Sequence, residues 1–304
     1  LDIHKKDKKL SSKIDTELIA RRTPGFTGAD LANLLNEAAL LSARRSKKTV
    51  GISEIEESID RVMAGPERKS RLISEKEKET VAYHEVGHAL VAKCLPNTDP
   101  VHKISILPRG LALGYTLQLP IEDKHLISRD EIEDQIKILM GERIAEELIF
   151  NQITSGASND IERATDLARN YICVYGMSPS LGTRKYGKTQ SQVFLGKDFS
   201  DHSKDYSEST ASQIDAEIKT IIDKCYKEAK NIIIKNKPLL VSISKLLMEK
   251  EVIEGKEFEA LMNPNRSKTT QRKKTTTSAT SSKKTPSAKD KNLTSSKNKR
   301  GEPS

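Results

Sequence analysis

Two histidines four positions apart flank a glutamate in His84-Glu85-Val86-Gly87-His88. In a helix that spacing sets both imidazoles one turn apart on one face, where they can reach the same Zn²⁺. Glu85 is then beside the first ligand and can take a proton from water at the metal's open position. Val81, Ala82, Val86, Ala89, Leu90, Val91 and Ala92 surround the motif. A helix so apolar is largely buried, and a buried His-Glu-His set needs a cation or a full complement of partners.

Catalytic zinc commonly takes three protein ligands and keeps one position for water. No histidine follows closely on His88; the next is His102. The candidates are Glu142, Glu146 or Glu147 on a later helix, and Asp160 in Gly156-Ala157-Ser158-Asn159-Asp160-Ile161. Asp160 falls in the first turn of a helix that Ser158 would cap. Pattern alone leaves Glu146 and Asp160 level. His102 and His125 read as structural or surface residues, and Cys94, Cys173 and Cys225 as core fillers.

The elements that must position these groups are mostly helical. Thr27 and Asp30 make a capping box, after which Leu31, Leu34, Leu35, Ala38 and Leu41 share one face. Ser53 and Glu56 are expected to open a second helix, stopped by Gly65-Pro66. Ser74 and Glu77 begin the long helix through about Leu95 that carries the histidines. Two β-like runs follow, 101–107 and 114–119. The first reads equally as a structural strand or as an edge on which an extended substrate could pair. Residues 128–150 and about 158–175 are helical, with a short apolar run at 193–195 beyond them. Ile214, Ile218, Ile221, Cys225, Ala229 and Ile232 then keep the helical period, and shorter helices run to Met262. The expected class is mainly α with a small β-sheet.

Composition bounds the remaining choices. The chain has 304 residues, 52 Lys and Arg against 43 Asp and Glu, and a net charge of +9. That length suits about two domains. No stretch approaches the roughly 18 apolar residues of a spanning helix, and three scattered cysteines argue against a disulfide framework. The chain opens Leu1-Asp2-Ile3-His4 and reads as a piece of something longer. Residues 263–304 hold 12 Lys and Arg against two acids, so this tail is +10 and residues 1–262, with 40 against 41, are −1. With Leu293 its one large apolar residue, the tail is expected to be disordered. It has no aromatic side chain to stack on bases, so it reads as a solvated terminus and nucleic acid is not an expected partner.

Several segments together resemble the C-terminal part of the FtsH family, membrane-anchored AAA+ zinc metalloproteases. They include Thr23-Pro24-Gly25-Phe26-Thr27-Gly28-Ala29-Asp30, Tyr83-His84-Glu85-Val86-Gly87-His88-Ala89, Asp99-Pro100-Val101-His102-Lys103-Ile104, Ala145-Glu146-Glu147-Leu148-Ile149 and Gly156–Ile161. The resemblance covers residues 1–262 and implies an AAA+ small helical lid over 1–66, a zincin-type peptidase domain over 67–262, and the tail. It implies one Zn²⁺ held by His84, His88 and Asp160, with Glu85 catalytic and Glu146 orienting a ligand imidazole. Glu142 stands where the family commonly has a second glycine; on this reading it lies away from the ligands and leaves catalysis intact. Gly28 and Ala29 would line the adenine side of a nucleotide site. The phosphate-binding motifs belong upstream in the family, and no GxxxxGK[ST] occurs here, so ATP and Mg²⁺ would act only through an absent ATPase core. The resemblance further implies a homohexamer, unfolded or membrane protein substrates, and a place on the cytoplasmic side of a bacterial inner membrane for the full-length protein.

Overall fold

The computed structural model describes residues 1–12, 14–67, 74–110, 112–120, 124, 126–187 and 205–263. The 193–195 run, His125 and the tail beyond Asn263 lie outside the described residues.

The first part is built from α1 (Thr16–Arg21), α2 (Gly28–Arg44) and α3 (Ile52–Ala64). The capping box at Thr27 forms: its N–H donates to the Asp30 carboxylate at 2.8 Å, and the Asp30 N–H donates to Thr27 Oγ1 at 3.3 Å. Leu34, Leu35 and Ala38 pack with Ile19, Ile55 and Ile59 into a separate small core. Each Leu or Ile sealed there contributes about 1.5–3 kcal/mol.

Helix α3 starts earlier than Ser53 and Glu56 suggest. Gly51 is its N-cap, and Glu54 reaches back to accept from the Gly51 N–H at 3.1 Å. From that position the buried Glu54 also accepts from Arg45 and Lys47, each at 2.7 Å. One carboxylate thus caps the helix and satisfies two cations, which favours the earlier start.

Helix α4 (Glu75–Cys94) begins at the Ser74–Glu77 box and carries the two histidines near its middle. It is buried on almost every side over 82–92 because α5 (Arg129–Phe150), α7 (Glu208–Lys235), α8 (Lys237–Lys250) and the sheet all pack against it. Helices α4 and α5 run antiparallel: Tyr83 meets Phe150 edge-on with ring centroids 5.4 Å apart, and His88 meets Ile138. Between these contacts the backbones touch at Gly87 and Gly141. A Cβ on Gly87 would sit 2.7 Å from the Gly141 carbonyl oxygen, and one on Gly141 would sit 2.8 Å from that of Gly87. Only residues without a Cβ permit this approach.

The sheet comprises β1 (Val101–Ser105), β2 (Tyr115–Gln118) and β3 (Val252–Glu254), ordered β2-β1-β3 with antiparallel pairing. Ile104 faces Thr116 on one side and Ile253 on the other. Strand β1 is therefore central, which overturns its reading as a free edge for substrate. The cause is β3, three residues too short to show alternation in the sequence. Glu251, at φ 62°, turns the chain out of α8, and its carbonyl accepts from the Ile106 N–H at 3.0 Å.

After α5 the chain enters α6 (Ser158–Cys173) through a 3₁₀ turn at Ser155–Ala157. Ser158 is the first helical residue rather than the cap. Thr154 takes the capping role, its hydroxyl accepting from the Gly156 N–H at 3.2 Å. Helix α9 (Gly255–Met262) closes the described fold. Cys173 and Cys225 are buried as expected, but Cys94, in the last turn of α4 beyond the packed stretch, is exposed.

Candidate metal centre

Three helices bring four side chains to one place. His84 and His88 come from α4, Glu142 from α5 and Asp160 from the first turn of α6. One nitrogen or oxygen of each lies within 4.8 Å of all the others. His84 Nε2 contacts Glu142 Oε2; His88 Nε2 is 3.2 Å from that same oxygen and 3.9 Å from Asp160 Oδ2.

The outer nitrogens define the tautomers. His88 Nδ1 lies 2.9 Å from the Ile138 carbonyl oxygen. A carbonyl only accepts, so Nδ1 carries a proton, and in the neutral ring the Nε2 lone pair turns inward. His84 Nδ1 lies 3.0 Å from Glu146 Oε1. The other oxygen of Glu146 accepts from Thr154, at 3.3 Å from its N–H and 2.9 Å from its hydroxyl. Thr154 thus links the α6 entry to the orientation of His84.

Glu142 corrects an expectation. It does not lie away from the ligands; it is fully buried and stands between the two Nε2 atoms. It follows Gly141, where α5 touches α4, so its side chain leaves the contact along the histidine face. Neither of its oxygens makes an aligned hydrogen bond, although both imidazoles are close. Donors that crowd together without bonding to one another are aimed at a common point, and a cation suits that point.

The electrostatics agree with that demand for positive charge. Burial opposes ionisation of Glu142, but His84 and His88 outweigh it and hold the carboxyl down to about 2. Burial likewise opposes protonation of the imidazoles, yet Glu142 outweighs it at both, and Glu146 adds to the effect at His84; both pKa values rise. Asp160 is pushed up to about 6, by burial first, with Glu142 adding repulsion and His88 opposing. Two imidazoles and two carboxylates competing for protons form a donor set suited to a divalent ion such as Zn²⁺.

Glu85 borders the same cleft as the histidines, next to β2. It is buried, its pKa is raised by that burial, and the Thr116 hydroxyl lies 2.8 Å from its Oε2. Gly114 keeps this space open, since a Cβ there would meet Glu85 Oε1 at 2.8 Å. A cleft of about 1040 Å³ runs past Glu85, both histidines, Asp160 and the strand residues Tyr115 and Thr116.

Other candidates fall elsewhere. Glu147 contacts Tyr226 and accepts from Lys230 at 2.9 Å, both on α7. Gly28 and Ala29 are exposed at the start of α2. His102 lies on β1. Thr116 carries no signal in the sequence, but Glu142 does: glycines at 87 and 141 in two apolar helices mark a close crossing that would place residue 142 beside it.

A helix bearing both histidines, crossed by a carboxylate-bearing helix and flanked by a small sheet, defines a zincin-type peptidase fold, here preceded by a helical lid. The chain belongs to peptidase family M41, whose model matches residues 71–261; the model of the AAA+ lid domain matches residues 13–57. It is 53% identical over 264 residues to the "ATP-dependent zinc metalloprotease FtsH" of Thermotoga maritima, covering 86% of this chain and 43% of that protein. It is 52% identical over 263 residues to "ATP-dependent zinc metalloprotease FtsH 1" of Thermoanaerobacter sp., covering 86% of this chain and 43% of that protein. The chain therefore spans about four-tenths of the length of the curated relatives it matches. Among the described residues no helix is long and apolar enough to cross a membrane.

Proposed function

We propose that this chain is the zinc endopeptidase portion of a longer ATP-dependent protease, with a lid over 1–66 and the peptidase over 67–262. The carrying observation is the convergence of His84, His88 and Asp160 beside a buried Glu85 on one cleft. His84, His88 and Asp160 would hold zinc, and Glu146 would fix the ring of His84. Bound zinc would polarise the scissile carbonyl and bring the pKa of the attacking water towards ~7.

Glu85 then accepts the water's proton and passes it to the leaving amine. Its burial, which raises its proton affinity, supports that role, and the Thr116 hydroxyl steadies the carboxylate between transfers. Strand β2, at the sheet edge and in the cleft wall, takes over from β1 as the strand on which an extended peptide would pair. Backbone pairing of this kind tolerates many sequences, which suits unfolded or membrane proteins as substrates.

In the longer protein we place this portion on the cytoplasmic side of a bacterial inner membrane, in a homohexamer. There Gly28 and Ala29 would face the adenine of ATP bound, with Mg²⁺, by an upstream core. The test of the site is Glu85→Gln, which keeps zinc and fold but removes peptide hydrolysis, because the proton acceptor alone is lost. Near-normal cleavage by that variant, at one zinc per chain, rules out the assignment.

A further inference from the structure

We propose that Glu142 is a fourth protein ligand of this centre, so that the position hydrolysis needs for water is closed until its carboxylate withdraws. The inference rests on the reading of His84, His88 and Asp160 as zinc ligands.

Partnering separates Glu142 from the other acids at the cleft. Glu146 is engaged by His84 Nδ1 and Thr154, and Glu85 by Thr116. Asp160 has Arg163 at 3.6 Å as well as His88 at 3.9 Å. Glu142 is fully buried, with no aligned hydrogen bond at either oxygen. Its Oε2 instead sits against both of the inward-facing Nε2 atoms. Between two neutral imidazoles such a buried carboxylate would be strongly destabilised, and a cation shared by those nitrogens completes its surroundings.

The backbone holds it there. Gly87 and Gly141 lock α4 against α5, and a Cβ on Gly87 would come within 3.1 Å of Glu142 Cα. The α carbon of residue 142 is therefore fixed against the histidine helix, and withdrawal has to come from side-chain rotation rather than helix movement. Charge gives the closure its second consequence. With neutral imidazoles, Asp160 alone leaves a dication with a net +1 to act on water, whereas Asp160 and Glu142 together neutralise it. A neutralised centre draws a proton from water less strongly. Glu142 thus opposes hydrolysis twice, by filling the position and by cancelling the charge.

The experiment compares the 304-residue chain with Glu142→Gln and Glu142→Gly. Cobalt(II) is loaded in place of zinc, and visible absorption is recorded with and without acetohydroxamic acid. Zinc affinity is measured against a chromophoric chelator, and cleavage of unfolded casein is followed in parallel. We expect one metal per chain throughout and wild-type cobalt bands that resist the hydroxamate. The bands of both variants should shift with it, their zinc affinity should fall roughly tenfold or more, and their casein cleavage should rise. Hydroxamate shifts and zinc affinities equal in all three proteins would overturn the fourth-ligand role while the zinc reading stands. Absence of metal from all three would overturn that reading and this one with it. The Gln variant keeps the side-chain volume, so the comparison survives if the Gly variant does not fold.

Discussion

The two histidines differ in how firmly their rings are held. His88 is anchored by a main-chain carbonyl, which substitution cannot remove, whereas His84 depends on the side chain of Glu146. Glu146→Gln keeps an oxygen near Nδ1 but loses the charge that orients the ring and strengthens its basicity, so zinc affinity should fall about 10–100-fold. Asp160→Ala should cost more, because on the proposed assignment a ligand is lost rather than its support. Zinc competition titrations of both variants check the order; a metal-free Glu146→Gln beside a zinc-loaded Asp160→Ala would exchange the two roles. His84, Glu85 and His88 are legible in the sequence because their relation is local, one turn of one helix. Asp160 and Glu146 are separated from them by dozens of residues, and pattern alone does not choose between them. The inward direction of Glu142 depends on a contact between two helices, which no single-helix pattern contains.

Among the elements, the crossing of α4 and α5 sets the geometry of the centre, and the glycines at the crossing make it possible. Ala at position 87 would be intrinsically better in a helix by about 1 kcal/mol. Here, however, its Cβ would meet backbone at 2.7 Å and Ala145 Cβ at 3.0 Å, and rigid backbone cannot yield as a side-chain tip can. Overpacking of this kind costs about 1–3 kcal/mol. Gly87→Ala should therefore gain nothing in melting temperature and should lose zinc affinity as the helices part. Gly28→Ala is the control: a Cβ there meets nothing within 4 Å, so it should melt at or slightly above wild type. Thermal melts and zinc titration of both variants check the contrast, and a stabilised, zinc-competent Gly87→Ala protein would refute the crossing. The long helices are legible from their period and, for α4, from its Ser74–Glu77 cap. The start of α3 is not, because it answers to Arg45 and Lys47 across a turn, and β1 becomes central only through three residues nearly 150 positions downstream.

At the scale of the whole chain, the segment matching an AAA+ lid precedes and contacts the segment matching the peptidase. The link between them includes an ion pair from α3 to β1, where Asp60 accepts from Lys103 at 2.9 Å, with Arg109 at 4.0 Å from the same carboxylate. This tie joins α3 to the sheet beside the cleft, and residues 1–304 contain no GxxxxGK[ST] loop with which to hold nucleotide phosphates. A cleft of about 1040 Å³ is far smaller than a folded domain, so on the proposed function the chain should act only on substrates that are already unfolded. Cleavage of unfolded casein should proceed at a rate indifferent to ATP and Mg²⁺, whatever that basal rate is, and a tightly folded protein should survive with or without nucleotide. The same assay on Glu142→Gly separates gating at the centre from energy coupling: that substitution should raise the rate on casein and still leave the folded protein intact. ATP-stimulated loss of the folded substrate with this chain alone would mean that unfolding power resides in residues 1–304, and the division between peptidase and absent motor would have to be abandoned.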